Sequence, residues 1–420
     1  LLYYNQFDLW QQCFQARQKK NIKVGGIYLL RECVIVDGVR TPNGRAHAQK
    51  GWFRNKRPDE LLTAVYDALF ARNKQIDPEQ VEAVYVGTAN QTGVTNDIAR
   101  LAWLAGGFPE SVATNAIGQQ CPSGMAAVEH AARAIMCGEG DIYIAAGVED
   151  MLKVPMGEGM DFPPRLAMRY PPEELPMGPT AEKVAELWKV SREDMERMAY
   201  YSHKRAAEAR DAGKFKNEIV PIEGEKEDGT PFIVDRDQWI RDDVSLESMA
   251  TMVSPFKPGG VITAATSSPL TTGACALLLM ERKLADRLGC EYHLVYRGGA
   301  MAGCDPTIMG VGPIYAVRKL LQRTGVSIDE IDVVEINEAF ASQSLVCLRE
   351  LGIEENAPFK KTNLWGGALA LGHPLGESGA RIIITLNNIM KTDCPEARYG
   401  LATLCGGFGN ANATLWEKAS

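Results

Sequence analysis

The chain contains no apolar run that approaches the roughly 18 residues of a transmembrane helix, so no membrane span is expected. It also lacks an excess of positive charge: 45 Lys and Arg stand against 53 Asp and Glu, a net charge of −8. Broad nucleic-acid binding needs a basic face and is excluded on that ground, whereas a local basic patch for a small anion is not. The ten cysteines include no C-x-x-C pair and the five histidines do not cluster, so no metal site is expected. A chain of 420 residues needs no disulfide staples, and scattered thiols point to a reducing compartment. What remains, 45% apolar and 23% charged, is the composition of a globular enzyme of two or three subdomains.

The chain is organised around Gln119-Gln120-Cys121-Pro122-Ser123-Gly124-Met125. A run with strand character, Val112 to Ile117, precedes it. Ala126, Ala127, Val128, Ala131, Ala132 and Ile135 follow at helical spacing. Cys121 thus sits where a strand hands over to a helix, and Pro122 suits a first helical position. The positive end of the helix dipole should lower the pKa of a thiol placed there. A buried structural cysteine is the other reading, and this stretch alone leaves the two even.

Residues 1–30 differ from the rest: basic and aromatic residues accompany a single acid, Asp8. A targeting leader, an amphipathic surface helix and translated upstream sequence are all open readings, and no chemistry is assigned to the segment. From Glu32 onward strands alternate with helices. Strands are expected at 33–36, 83–87 and 142–146, with helices from Pro58 and over 96–104, which predicts an α/β unit with a mostly parallel sheet. Residues 151–252 break the rhythm. A Met-, Pro- and Gly-rich stretch to Pro176 leads to a charged helix over 191–213 with Ser191 at its N-cap, then a polar turn at 224–230. Alternation resumes after Ser254, with strands at 274–280, 292–297, 333–336 and 401–404 and helices over 312–322, 337–351 and 376–390. One cysteine near a strand end in each half, Cys121 and Cys405, suggests an internal duplication. Cys33, Cys137, Cys275, Cys290, Cys304 and Cys347 read as core.

Three late segments mix reactive side chains with glycine: Asn337-Glu338-Ala339-Phe340, Gly366 to Gly376 around His373, and Cys405-Gly406-Gly407-Phe408-Gly409. The first and third follow strands, where ligand crevices form in α/β sheets. Together with Cys121-x-Ser-Gly, the motifs N-E-A-F, G-H-P-x-G and C-x-G-x-G resemble those of the thiolase family in order and separation. R-T-P-x-G-R at Arg40 to Arg45, G-V-E-D-M at Gly147 to Met151 and G-E-S-G-A-R at Gly376 to Arg381 agree.

The resemblance implies a duplicated, layered αβαβα core with an inserted loop domain. The divisions would be an N-terminal half at 31–150, the insertion at 151–252 and a C-terminal half at 253–420. It implies CoA-dependent cleavage of 3-ketoacyl-CoA to acetyl-CoA and a shortened acyl-CoA in fatty-acid β-oxidation, with CoA as co-substrate and no resident cofactor. Cys121 would carry the acyl group, His373 would take its proton, and Cys405 would shuttle the proton of the acetyl-CoA carbanion. Asn337 with His373 would serve one oxyanion hole, and the backbone N–H groups of Cys121 and Gly407 the other. Met177, Phe256, Ala264, Ser268, Ala339 and Phe340 match positions along the pantetheine tunnel. Lys204, Arg205 or Arg210 would either meet the CoA phosphates or, the commoner outcome for any one such residue, lie on a solvated helix face. A homodimer or homotetramer follows from the family, as does a multifunctional β-oxidation α subunit as partner. The location would be the cytoplasm, or the mitochondrial matrix or a peroxisome in a eukaryote.

The chain departs from the family pattern at Gly118, where Asn is frequent, and at Pro176-Met177-Gly178, where short-chain acetoacetyl-CoA thiolases have H-M-G. That alternative, working in the condensing direction, ranks second. A condensing enzyme on acyl carrier protein, a Cys–His–Asn hydrolase and an inactive scaffold rank lower, because Cys121, His373, Asn337 and Cys405 occur together. Met156, Met160, Met168 and Met177 are either core filler or thioethers along an acyl-chain tunnel.

Overall fold

The computed structural model describes residues 31–420; the appendage read at 1–30 lies outside the described residues. Its strands are β1 (Cys33–Arg40), β2 (Gly44–Arg45), β3 (Ala83–Gly87), β4 (Ala113–Ile117), β5 (Ile142–Asp150), β6 (Ile222–Glu225), β7 (Pro231–Val234), β8 (Thr271–Glu281), β9 (Leu294–Gly303), β10 (Ile331–Ile336), β11 (Tyr399–Gly406) and β12 (Asn410–Lys418). One sheet runs β10-β11-β12-β9-β1-β8-β5-β3-β4, with β2 on β8, and β6 and β7 form a separate hairpin.

The strand order is mirrored about the centre, where Val34 of β1 pairs with Val295 of β9. Outward from there one side reads β1-β8-β5-β3 and the other β9-β12-β11-β10. In each half two antiparallel pairings are followed by a parallel one. This is the topology of a duplicated unit. The sheet is therefore mixed, not mostly parallel as the alternation suggested. β8 and β12 close each half by running back antiparallel through its middle. β8 is buried along its whole length, so it reads as a continuous apolar run like any parallel strand.

The duplication does not make Cys121 and Cys405 counterparts. Cys121 precedes the helix Ser123–Cys137, which leads into β5. In the other half the helix Leu375–Thr392 leads into β11, and Cys405 lies at the far end of that strand. The counterpart of the Cys121 helix is thus the helix that follows His373. These two helices pack on each other and touch strands of both halves. The helix Pro58–Arg72 covers β8, β5 and β1 from one outside face, and Gly312–Thr324 covers β9, β12 and β11 from the other. The result is a helix–sheet–helix–sheet–helix stack.

Several expected boundaries move. The helix expected from Asn337 begins at Ala341, which leaves Asn337 to Phe340 as a connecting turn. β12 was not expected, because Asn410-Ala411-Asn412-Ala413-Thr414 mixes small and polar residues; it is held by its pairing with β11 and β9. Cys137 is exposed and Cys304 only partly buried, since both fall at element ends. Ser191 does cap its helix, accepting the N–H of Asp194. Between Asp150 and Thr271 no strand joins the large sheet, though Ile219 makes a single parallel bridge to Arg40 at the end of β1. Among the described residues no helix is long and apolar enough to cross a membrane.

Candidate active site

The two central helices meet at their N-terminal ends through glycine. A Cβ on Gly124 would stand 2.5 Å from the carbonyl oxygen of Gly376, and one on Gly379 would stand 2.5 Å from the backbone nitrogen of Met125. Only residues without side chains allow that approach, and it brings the segments before both helices, Cys121 and His373, to one place. Glu149, at the end of β5, locks the junction. Fully buried, its carboxylate accepts the N–H groups of Ala89 at 2.7 Å and Gly376 at 2.9 Å.

Cys121 follows Gln120, whose φ of 56° turns the chain sharply. The turn is pinned by Ser123, whose hydroxyl accepts the N–H of Gln119 at 2.8 Å and donates to the Gln120 carbonyl at 2.5 Å. The residue is 7% exposed, and the N–H groups of Gly407 and of Cys121 itself point at its sulfur. Burial pushes the thiol up to about 12, against the pull of those N–H groups. The lowered value expected from the helix dipole is therefore not found. Desolvation of a charged sulfur outweighs the dipole where the cavity wall is apolar.

His373 stands after Gly372, whose φ is 93°. Its Nδ1 lies 2.6 Å from the Ser378 hydroxyl, and its Nε2 lies 3.3 Å from the amide nitrogen of Asn337. Burial, reinforced by the positive charge of Arg381, brings the imidazole down to about 3. Asn337 is fully buried and fixed by its N–H to Thr403 O at 3.0 Å. Its neighbour Glu338 accepts from Ser202 at 2.6 Å, Asn363 at 2.8 Å and the N–H of Leu369 at 3.2 Å. That carboxylate ties the N-E-A-F turn to both the charged helix and the His373 segment. Cys405, near the C-terminal end of β11, is fully buried. Burial first and the neighbouring Cys121 second hold its thiol well above the ordinary range.

A single cavity of about 950 Å³ is lined by Cys121, His373, Cys405 and Gly407, and also by Met177, Phe256, Ala264, Ser268, Ala339 and Phe340. Asn337 sits one step behind the wall and reaches the cavity through His373. The wall segments are joined: Ser268 N–H donates to Ala339 O at 3.0 Å and Ala341 N–H to Thr266 O at 2.9 Å. Phe256 meets Phe340 edge-on, with centroids 6.1 Å apart.

Of the expected phosphate contacts, Arg205 instead binds the backbone carbonyls of Phe359 and Thr362, and Arg210 pairs with Asp211 and Asp242. Lys204 is not on the wall. The cations that line the cavity are Arg45 and Lys50, beside His47, and the Arg45 guanidinium lies 4.2 Å over the Trp239 ring. Sequence reasoning counted Arg45 only as part of a motif. An arginine three residues after Pro42, just beyond the end of β1, was the available signal. Met156, Met160 and Met177 line the cavity, whereas Met168 is 84% exposed and does not.

The family description "Thiolase, N-terminal domain" matches residues 33–283, and "Thiolase, C-terminal domain" matches 292–418. The 3-ketoacyl-CoA thiolase of Shewanella loihica is 45% identical over 392 residues, which cover 93% of this chain and 100% of the relative. That of Vibrio vulnificus strain CMCP6 is 43% identical over 391 residues with the same coverage. Among solved structures, the Bacillus anthracis acetyl-CoA acetyltransferase superimposes with a TM-score of 0.84 at 33% identity, covering 93% of this chain and 100% of the other. Human mitochondrial 3-ketoacyl-CoA thiolase gives 0.83 at 30% identity with the same coverage.

Proposed function

The chain belongs to the thiolase family, and we propose that it is an acyltransferase that cleaves 3-ketoacyl-CoA with CoA in fatty-acid β-oxidation. The observation that carries this reading is the single cavity shared by two sulfurs and one imidazole drawn from three distant parts of the chain.

In the resting site both titrating partners are neutral, a thiol on Cys121 and an imidazole on His373. On substrate binding, His373 takes the Cys121 proton at Nε2 as the sulfur attacks the 3-keto carbon. The oxyanion that forms is met by the N–H groups of Cys121 and Gly407; such donors typically contribute about 3 kcal/mol each. The bond between carbons 2 and 3 then breaks and leaves its electron pair on carbon 2. Cys405 supplies the proton that completes acetyl-CoA, and its raised pKa keeps that proton available. CoA enters and gives its thiol proton to the Cys405 thiolate. Its sulfur displaces Cys121 from the acyl carbon, and Cys121 recovers its proton from His373. Asn337 and His373 form the second hole, for the thioester oxygen of the carbanion.

Met177, Phe256, Ala264, Ser268, Ala339 and Phe340 bound the pantetheine arm, and Arg45 and Lys50 suit the phosphates at the mouth. The segment 151–252 is the loop domain that carries CoA, set between halves at 31–150 and 253–420. The acetoacetyl-CoA alternative is less well supported, because the relatives at 43–45% identity carry the 3-ketoacyl name. A homodimer or homotetramer is expected, supported by the open outer edge of β4. A β-oxidation α subunit as partner and a cytoplasmic location fit the bacterial relatives.

The test is CoA-dependent loss of the ultraviolet absorbance of a 3-ketoacyl-CoA–magnesium complex. Loss without CoA would point to a hydrolase, and no loss on any chain length would overturn the reading.

A further inference from the structure

Behind the cavity, a polar cluster reaches from the Cys121 helix into the C-terminal half, and the acyl-transfer steps make no use of it. Glu129 lies on the helix Ser123–Cys137, two turns beyond Cys121, and is fully buried. Its Oε2 accepts from Arg133 at 3.0 Å and lies 3.5 Å from the amide nitrogen of Asn412 on β12. Asn412 is itself fully buried, and the same amide nitrogen lies 3.3 Å from Oε1 of Gln119. Each hydrogen of that NH₂ group therefore has an acceptor. Turned the other way, the amide would set its oxygen against two other oxygens.

This one amide stands between the segments that carry the two sulfurs. Gln119 directly precedes Gln120 and Cys121, and its backbone N–H donates to the Ser123 hydroxyl at 2.8 Å. On the other side, Asn412 pairs with Leu404 and Ala411 with Cys405 across β11 and β12. The Asn412 carbonyl accepts the Thr403 hydroxyl at 2.8 Å, and the Thr403 carbonyl accepts the N–H of Asn337 at 3.0 Å. Gln119 and Asn412 are 293 residues apart in the chain and belong to opposite halves. The spacing of the two sulfurs therefore depends on side-chain ties of this kind.

We propose that Glu129, Asn412 and Gln119 are positioning residues that hold the Cys121 elbow at a fixed distance from the strand carrying Cys405. This rests on the thiolase reading. The groups that face the Glu129 carboxyl are Arg133 from its own helix, Arg323 from the helix Gly312–Thr324, Tyr296 from β9 and Asn412 from β12. A Cβ on Gly299 would stand 2.2 Å from Oε1 of Glu129 and 2.5 Å from the Tyr296 hydroxyl, so the glycine leaves the space in which those two atoms meet. Oε1 has no hydrogen-bond partner among the described residues, whereas Oε2 already accepts, so a proton adds at Oε1. Burial brings this carboxyl up to about 7, against the pull of Arg133 and Arg323. Above that pH Oε2 is a charged acceptor and holds Asn412 more tightly; below it Oε2 is a neutral one.

The experiment measures kcat and KM with the 3-ketoacyl-CoA that the wild type cleaves fastest, at about pH 6 and about pH 8.5, on either side of the Glu129 value. Asn412→Leu should lower kcat roughly tenfold, as misplacement of reacting groups does, with KM little changed. Gln119→Ala, at a half-buried site, should do the same, and it tests the link if Asn412→Leu does not fold. Glu129→Gln mimics the protonated form. It should come close to wild type at the lower pH and lose about fivefold in kcat at the higher, the margin between a charge-assisted and a neutral hydrogen bond. In the Asn412→Leu background the same change should cost nothing more. A Glu129→Gln loss that is equal at both pH values, losses that add in the double variant, or wild-type kcat in Gln119→Ala would each overturn the positioning role and leave the thiolase reading intact. If the wild type cleaves no 3-ketoacyl-CoA, the thiolase reading fails and the positioning role falls with it.

Discussion

The Ser378 hydroxyl lies 2.6 Å from Nδ1 of His373 and 2.9 Å from the carbonyl oxygen of Pro374. A hydroxyl has one proton, and the carbonyl can only accept. With that proton on Pro374 O, Nδ1 carries the imidazole hydrogen and donates to Ser378, which leaves the lone pair on Nε2, beside Asn337. Nε2 is thereby the nitrogen able to take a proton from Cys121. The tautomer is set by a residue one helical turn further on, not by anything that touches substrate.

Ser378→Ala removes that orientation without touching the cavity wall. The expected result is a fall in kcat of roughly tenfold to a hundredfold, as for other groups that orient a working imidazole, with KM changed little. Steady-state kinetics checks it; a change confined to KM would contradict the role.

Cys121→Ser should abolish turnover, by on the order of 10⁴-fold or more for loss of a nucleophile. Incubation with acetyl-CoA should leave no acetyl adduct on the protein by mass spectrometry. A normal adduct would refute the assignment.

The raised Cys121 thiol has a consequence for pH. Below its value of about 12 the thiolate fraction grows about tenfold per pH unit, so alkylation by iodoacetamide should keep accelerating with pH up to at least about 10. Had the helix dipole prevailed, the rate would level off near neutral pH. Peptide mapping of alkylated Cys121 across a pH series decides between them.

Cys405→Ala should still form the acyl-enzyme but lose proton transfer to the carbanion. The methyl group of acetyl-CoA should then exchange no deuterium with solvent water, as read by NMR. Exchange at the wild-type rate would place that proton on another group.

Glu377 is fully buried, and neither carboxylate oxygen has a hydrogen-bond partner. Burial pushes it from 4.5 up to about 7, against the pull of Arg381 and Arg40. The folded protein thus holds this proton more tightly than the unfolded chain, and ionising the group costs stability. The loss begins above about 4.5 and is complete once the pH passes about 7. Glu377→Gln mimics the protonated form, so its stability relative to wild type should rise across that window. Chemical denaturation at pH 4.5 and pH 7.5 measures it; a difference that shrinks with pH would contradict the sign.

Local chemistry made much of this protein legible from its residues. Ser191 capped the helix it was expected to cap, because a cap depends on residues three apart. β3 ran from Ala83 to Gly87 as read, and the helix from Pro58 buried Leu61, Leu62, Val65, Tyr66 and Leu69 as its spacing required. The motifs around Cys121, Asn337, His373 and Cys405 named the residues that the fold brings together.

Quantities that depend on neighbours distant in the chain were decided only by the tertiary structure. Strand direction follows from which strand lies alongside, so β8 made the sheet mixed although it is buried along its whole length like a parallel strand, and β12, with its small and polar residues, became a strand only through its pairing with β11 and β9. The Cys121 pKa follows from the balance between a local dipole and a surrounding apolar wall, and only the assembled wall sets the second term. The Gly124–Gly376 contact joins helices more than two hundred residues apart, and the tautomer of His373 rests on which of two acceptors Ser378 serves. Residue types are written in the chain; solvent exclusion and non-local pairing exist only once it has folded.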